Sequence, residues 1–182
     1  MSLIRDLSLA PSGEMKIQWV ERHMPVLRGI GEDFRRTRPF EGLKIALSVH
    51  LEAKTAYLCR VLEMGGAEMY VTGSNPLSTQ DDVAAALASR GMQVFARYGC
   101  PMEEYERCLC EVLAPGPNII IDDGGDLVHL MHTKFTQRLS HGTAPGDPGA
   151  FRSVRGGQGD PGFSHPRERS AMAGRIPCGQ IA

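Results

Sequence analysis

The stretch Asn118-Ile119-Ile120-Ile121-Asp122-Asp123-Gly124-Gly125-Asp126-Leu127 decides the fold class of this chain. A short unbroken apolar run bounded by turn residues reads as a strand covered on both faces. It ends in carboxylates and two glycines, and residues 127–134 then begin a helix. The same grammar recurs upstream. Residues 43–49 form a strand after Gly42, and residues 54–64 form a helix stopped by Gly65-Gly66. Residues 67–71 are a second strand, and residues 80–89 an Ala-rich helix stopped by Gly91. Residues 92–96 are a third strand, and residues 102–113 a helix leading back to the starting stretch. Ahead of them, residues 14–36 repeat apolar positions at three- and four-residue steps, with Pro25 placed to kink or split that helix near Met24. Strands alternating with helices at this spacing predict an α/β fold, a parallel sheet with helices on both faces. Ligands of such sheets bind beyond the carboxyl ends of the strands, where strand order reverses. The loops that matter therefore follow residues 49, 71, 96 and 121.

The composition changes along the chain. Residues 137–182 hold nine Gly and five Pro in 46 positions, about 30 %, against 19 in the first 136 residues, about 14 %. Only six of those 46 are Leu, Ile, Val or Phe, too few to offset the entropy of ordering the segment. The expectation is an N-terminal extension over 1–13, an α/β domain over 14–135 and a low-complexity, disordered tail over 136–182. The tail's six arginines and absence of lysine, with 25 of its 46 residues Gly, Ala, Arg or Pro, match GC-rich DNA read out of frame. A frameshift near Phe135 is the expectation that follows.

Among 182 residues the formal net charge is −1, so no strongly basic surface points to nucleic acid or anionic lipid. The apolar runs are too short to span a bilayer, and residues 1–6 do not begin a secretory signal. A cytoplasmic protein is expected. Five cysteines with irregular spacing and no CxxC pair read as reduced thiols, neither a disulfide framework nor a zinc site.

The predicted loops are dense in polar groups. After the first strand stands His50-Leu51-Glu52-Ala53-Lys54-Thr55, which without a ligand would be a helix start with solvated charges. After the second stands Gly73-Ser74-Asn75-Pro76-Leu77-Ser78-Thr79-Gln80-Asp81-Asp82. Ser78 or Thr79 can cap the next helix and the aspartates suit its positive end, whereas the amides of Asn75 and Gln80 suit a ribose hydroxyl or a base edge. Asp122, Asp123 and Asp126 repel one another across a turn, so one of them needs a partner or a raised pKa. On a turn they do not share a helical face, so sugar hydroxyls or acid–base work suit them better than a metal ion. His129 and His132 lack a third ligand. His23 reads as a packing or capping group, and Trp19, Tyr57 and Tyr105 as core or half-buried aromatics.

Taken together, these segments resemble the N-terminal substrate domain of the S-adenosyl-L-homocysteine hydrolase family. The likeness runs from about Met15 to Phe135 and also takes in Met24-Pro25-Val26-Leu27 and Glu103-Glu104-Tyr105. It implies a Rossmann-like substrate domain and an enzyme of the methyl cycle that splits S-adenosylhomocysteine reversibly into adenosine and homocysteine. The family works through a tightly held NAD and is usually a homotetramer. By matched position Asp123 would meet the nucleoside near its reacting 5′ end, with His50 as proton-transfer partner. Glu52, Lys54, Thr55, Asn75, Gln80 and Asp126 would complete the substrate-binding set. Many members carry Thr at the place of Glu52 and Glu at the place of Lys54; the form here resembles a variant common in prokaryotic members. The family's dinucleotide fingerprint and its later catalytic segments find no match here, so NAD is not expected to bind this chain alone and no turnover is expected from it. The alternative is a short nucleoside-binding or regulatory module that pairs with a full-length hydrolase.

Overall fold

In the computed structural model, residues 2–136 and the backbone of Arg152–Arg155 are described. Two helices lead, α1 (Ala10–His23) and α2 (Pro25–Thr37). They are split at Met24, whose φ of −119° and ψ of 69° leave the helical region, and Pro25 opens α2 at a position where its missing N–H costs nothing. Then follow β1 (Lys44–Ser48), α3 (Ala53–Met64), β2 (Glu68–Thr72), α4 (Asp81–Ala88) and β3 (Gln93–Val94). The series continues with α5 (Met102–Leu113), β4 (Ile119–Asp122), α6 (Asp126–Thr133) and β5 (Arg152–Arg155).

All the strand pairs are parallel, in the order β3-β2-β1-β4-β5. The chain steps outward from β1 to β3, then returns to the other side of β1 for β4. Strand order therefore reverses between β1 and β4. Side chains alternate across the sheet: Ile45 and Leu47 join the cluster holding Ile17, Tyr57, Val61, Val83 and Leu87. Ala46, Tyr70 and Ile120 join the opposite one, with Tyr105, Leu109, Leu113 and Leu127. Both faces are thus covered, as the alternation of strands and helices predicts.

The structure departs from the sequence pattern in several places. The third strand is shorter than the run 92–96, yet its ladder continues through Phe95, which donates to the Val71 carbonyl. The residues ahead of α1 run along the sheet edge. Leu3 donates to the Val94 carbonyl and accepts from Ala96 N–H, each at 2.8–2.9 Å, so they close the outer side of β3. Strand β5 falls inside the segment whose composition predicts a disordered tail, and pairs Ile119 with Arg152 through Asp122 with Arg155. The other residues of 137–182, and with them the frameshift expectation, lie outside the described residues. Trp19 is exposed rather than buried, stacked on His23 with ring centroids 4.0 Å apart. Cys59, Cys100 and Cys108 are free thiols, whereas Cys110 is disulfide-bonded, against the expectation that all five are reduced. Among the described residues no helix is long and apolar enough to cross a membrane.

Candidate functional site

The carboxyl ends of β1, β2 and β4 bring three loops together. Asp123 N–H donates to the Ser48 carbonyl at 3.1 Å, and Ser74 N–H donates to the Val49 carbonyl at 3.2 Å. Gln80 N–H donates to the Leu51 carbonyl at 3.0 Å. These backbone bonds tie the β4 and β2 loops to the β1 loop, at the reversal of strand order where an open sheet leaves a crevice.

Within the β1 loop, Leu51 is fully buried and anchors the turn, while His50 on its outer side is exposed. The His50 carbonyl accepts from Thr55 Oγ1 at 2.7 Å and from Glu52 N–H at 3.0 Å, so Thr55 closes the turn with an internal bond. His50 Nδ1 lies 2.5 Å from Ser78 Oγ across the crevice. Glu52 is the residue before α3, and its carboxylate lies 3.7 Å from Lys54 Nζ.

In the β2 loop, Asn75 Oδ1 accepts from Leu77 N–H at 2.8 Å and caps the short 3₁₀ turn Pro76–Ser78. That bond takes up the amide oxygen and leaves the NH₂ group without a partner among the described residues. Gln80 precedes α4, and its Oε1 accepts from Lys16 Nζ at 3.1 Å. Its amide nitrogen is the end left to donate.

The acidic turn is divided by function. Asp122 Oδ1 accepts from Gly125 N–H at 3.0 Å and Oδ2 from Val128 N–H at 3.1 Å, so it caps α6 from the end of β4. Gly125 takes a φ of +81°, which favours glycine at this place. Burial pushes the Asp122 carboxyl above its ordinary value; the backbone donors of Val128 and Gly125 oppose this, and the neighbouring Asp126 charge adds to it. Asp126 Oδ2 accepts from the Tyr105 hydroxyl at 3.0 Å, which lies equally near the Ser74 carbonyl. Burial raises the Tyr105 phenol, and the Asp126 carboxylate raises it further, so it stays a proton donor. Asp123 is exposed, and its carboxylate forms no hydrogen bond or ion pair among the described residues.

The crevice thus gathers His50, Asn75, Asp123 and Asp126, with Glu52 and Lys54 on the flank beside His50. Thr55 and Gln80 are bound into its walls. The sequence marks Ser78 as a cap and Tyr105 as a core or half-buried aromatic, and neither as a neighbour of the site's titratable groups. Tyr105 has a legible signal, a helical position facing the sheet inside the Glu103-Glu104-Tyr105 match, whereas its contact with Asp126 depends on the fold.

NAD does not fit the residues at this reversal point. The turn into α3 has no glycine, and Glu52 would set a carboxylate against a pyrophosphate at the helix start.

A family model described as S-adenosyl-L-homocysteine hydrolase matches residues 2–150. An S-inosyl-L-homocysteine hydrolase of Methanococcus maripaludis is 56 % identical over 139 residues, 76 % of this chain and 34 % of the relative. An adenosylhomocysteinase of Pyrococcus abyssi is 52 % identical over 136 residues, 75 % of this chain and 32 % of the relative. An adenosylhomocysteinase of Thermotoga maritima is 52 % identical over 130 residues, 71 % of this chain and 32 % of the relative. The chain spans about a third of the length of these relatives. With the family model matching most of its residues and the polar loops tied together at the strand ends, the chain belongs to the S-adenosyl-L-homocysteine hydrolase family.

Proposed function

We propose that this chain is the nucleoside-binding portion of a hydrolase that splits the thioether of an S-nucleosylhomocysteine with water, giving the nucleoside and homocysteine. The observation that carries this reading is that the exposed His50 follows β1 and the exposed Asp123, whose carboxylate has no partner among the described residues, follows β4 at the reversal of strand order, with Asp123 N–H on the Ser48 carbonyl. Asp123 accepts a hydrogen bond from a hydroxyl of the sugar, and His50 moves a proton at the nucleoside's 5′ end, an imidazole being able both to take up and to give one. Asn75 and Asp126 orient the ribose, with Gln80 supporting the wall. The oxidation–reduction part of the family reaction belongs to NAD and to residues outside this chain's match, so the chain alone binds without turning over. A cytoplasmic setting and a tetramer of the complete enzyme accompany the reading.

The base would be read by Glu52 and Lys54. A carboxylate only accepts and an ammonium only donates. The pair complements adenine, whose amino group donates and whose N1 accepts, and equally hypoxanthine, whose N1–H donates and whose O6 accepts. The names of the relatives divide in the same way, between adenosyl and inosyl substrates.

Calorimetry on the folded chain tests the proposal. Adenosine or inosine should bind saturably, and Asp123→Ala should weaken binding by about tenfold or more, as expected for loss of a charged hydrogen-bond partner. Failure of both nucleosides to bind would overturn the nucleoside reading. Tight binding of NAD would overturn the assignment of the cofactor to residues elsewhere.

A further inference from the structure

We infer that Ser78 is a positioning residue for His50, setting its tautomer so that Nε2 faces the crevice as a base. Ser78 Oγ lies 2.5 Å from His50 Nδ1 and 3.0 Å from the Asn75 carbonyl oxygen. The hydroxyl has one proton and lone pairs to accept another. Ser78 Oγ–H donates to the Asn75 carbonyl, which also accepts from Thr79 Oγ1 at 3.2 Å, and with its proton placed there the hydroxyl oxygen faces His50 as an acceptor. His50 then carries its proton on Nδ1 and keeps the Nε2 lone pair. The relay runs Nδ1–H to Oγ, then Oγ–H to the carbonyl, each bond polarising the next.

The backbone holds this relay in place. Ser78 closes the 3₁₀ turn Pro76–Ser78, pinned by its own N–H on the Asn75 carbonyl at 3.1 Å and by the Asn75 side chain on Leu77 N–H. The opposite anchor is the β1 turn, locked by Thr55 on the His50 carbonyl. A histidine held in this way takes up a proton at Nε2 without turning its ring, because Nδ1–H serves both the neutral and the charged form. The catalytic consequence rests on the nucleoside reading, whereas the tautomer does not.

The test is ¹⁵N NMR of the ring nitrogens in the whole labelled chain, with His50 assigned by loss of its signals in His50→Gln. Neutral His50 should show a protonated Nδ1 and an unprotonated Nε2. Ser78→Ala should shift it to the Nε2–H form that prevails in free histidine, and Ser78→Thr should restore the original pattern. Backbone amide spectra of both variants establish that the fold is retained. A wild-type His50 protonated on Nε2, or a tautomer unmoved in a folded Ser78→Ala, would overturn the inference. Nucleoside affinity, read separately, should fall about tenfold in Ser78→Ala and recover in Ser78→Thr. An unchanged affinity with a shifted tautomer would remove the link to binding and leave the tautomer assignment standing.

Discussion

Three aspartates within five residues meet three different fates, and the backbone decides which. Asp122 is the last residue of β4 and turns its carboxylate onto the N–H groups that open α6. Asp126 is the first residue of that helix and reaches Tyr105 on α5. Asp123, between them, is turned to solvent. Asp122→Ala should therefore lower stability by about 1–2 kcal/mol, the usual cost of losing a helix cap. Asp123→Ala, removing a carboxylate without a partner among the described residues, should stay within about 0.5 kcal/mol. Denaturant midpoints of the two variants measure the difference, and equal losses would contradict this division. The crowding of charge is legible in the sequence, and so is the need for one carboxylate to find a partner. Which one does so is not legible, because the caps are made three and six residues away in a helix whose start depends on the φ of Gly125. Ser78 illustrates the same limit: as a residue type it reads as a cap, and only the approach of two loops gives it a histidine.

At the scale of elements, α1 and α4 pack closely because Gly13 has no side chain. A Cβ there would lie 2.0 Å from the Asp82 carbonyl oxygen, and that oxygen belongs to backbone that cannot swing aside. In an isolated helix Gly→Ala gains about 1 kcal/mol. Here the clash should win, and Gly13→Ala should destabilise by about 1–3 kcal/mol, read as a lowered Tm. A raised Tm would show that α1 can lift from α4 without cost. Apart from the start of α1, four residues ahead of the apolar pattern, the helices and the β1, β2 and β4 strands are readable within a residue or two, since apolar period and Gly or Pro stops coincide at their ends. Strand β3 was overestimated because the residues after Val94 have strand composition but share their pairing with the chain's own first residues. Composition held no sign of β5, whose four residues lie in a stretch poor in apolar side chains.

Across the whole molecule, one carboxylate links three helices. Glu14 of α1 accepts from Arg60 of α3 at 3.2 Å through Nη1, and from Arg90, just past α4, at 3.0 Å. Arg60 is only 4 % exposed, so its charge depends on this partner. Burial pushes the Glu14 carboxyl up, but hydrogen bonds from Arg60, Arg90 and Gln18 outweigh it and hold the pKa at about 2. Because the folded value is depressed, the stabilisation is complete above the ordinary value of 4.5 and is lost as pH falls toward 2. Glu14→Gln should cost on the order of 2 kcal/mol at neutral pH, by leaving a buried guanidinium short of its counter-charge. It should also flatten the acid limb of the stability curve between those two values. Urea titrations across that pH range test both, and parallel acid limbs for the two proteins would count against the assignment. The amino-terminal residues bring a consequence of another kind. Ser2 Oγ accepts from Val94 N–H, 92 positions along the chain, so residues 2 and 3 must wait for most of the domain that follows them before they can dock. Until then the outer side of β3 is open to any passing strand, and a bulky amino-terminal fusion would prolong that exposure. Recombinant protein of this kind is better tagged away from its first residues.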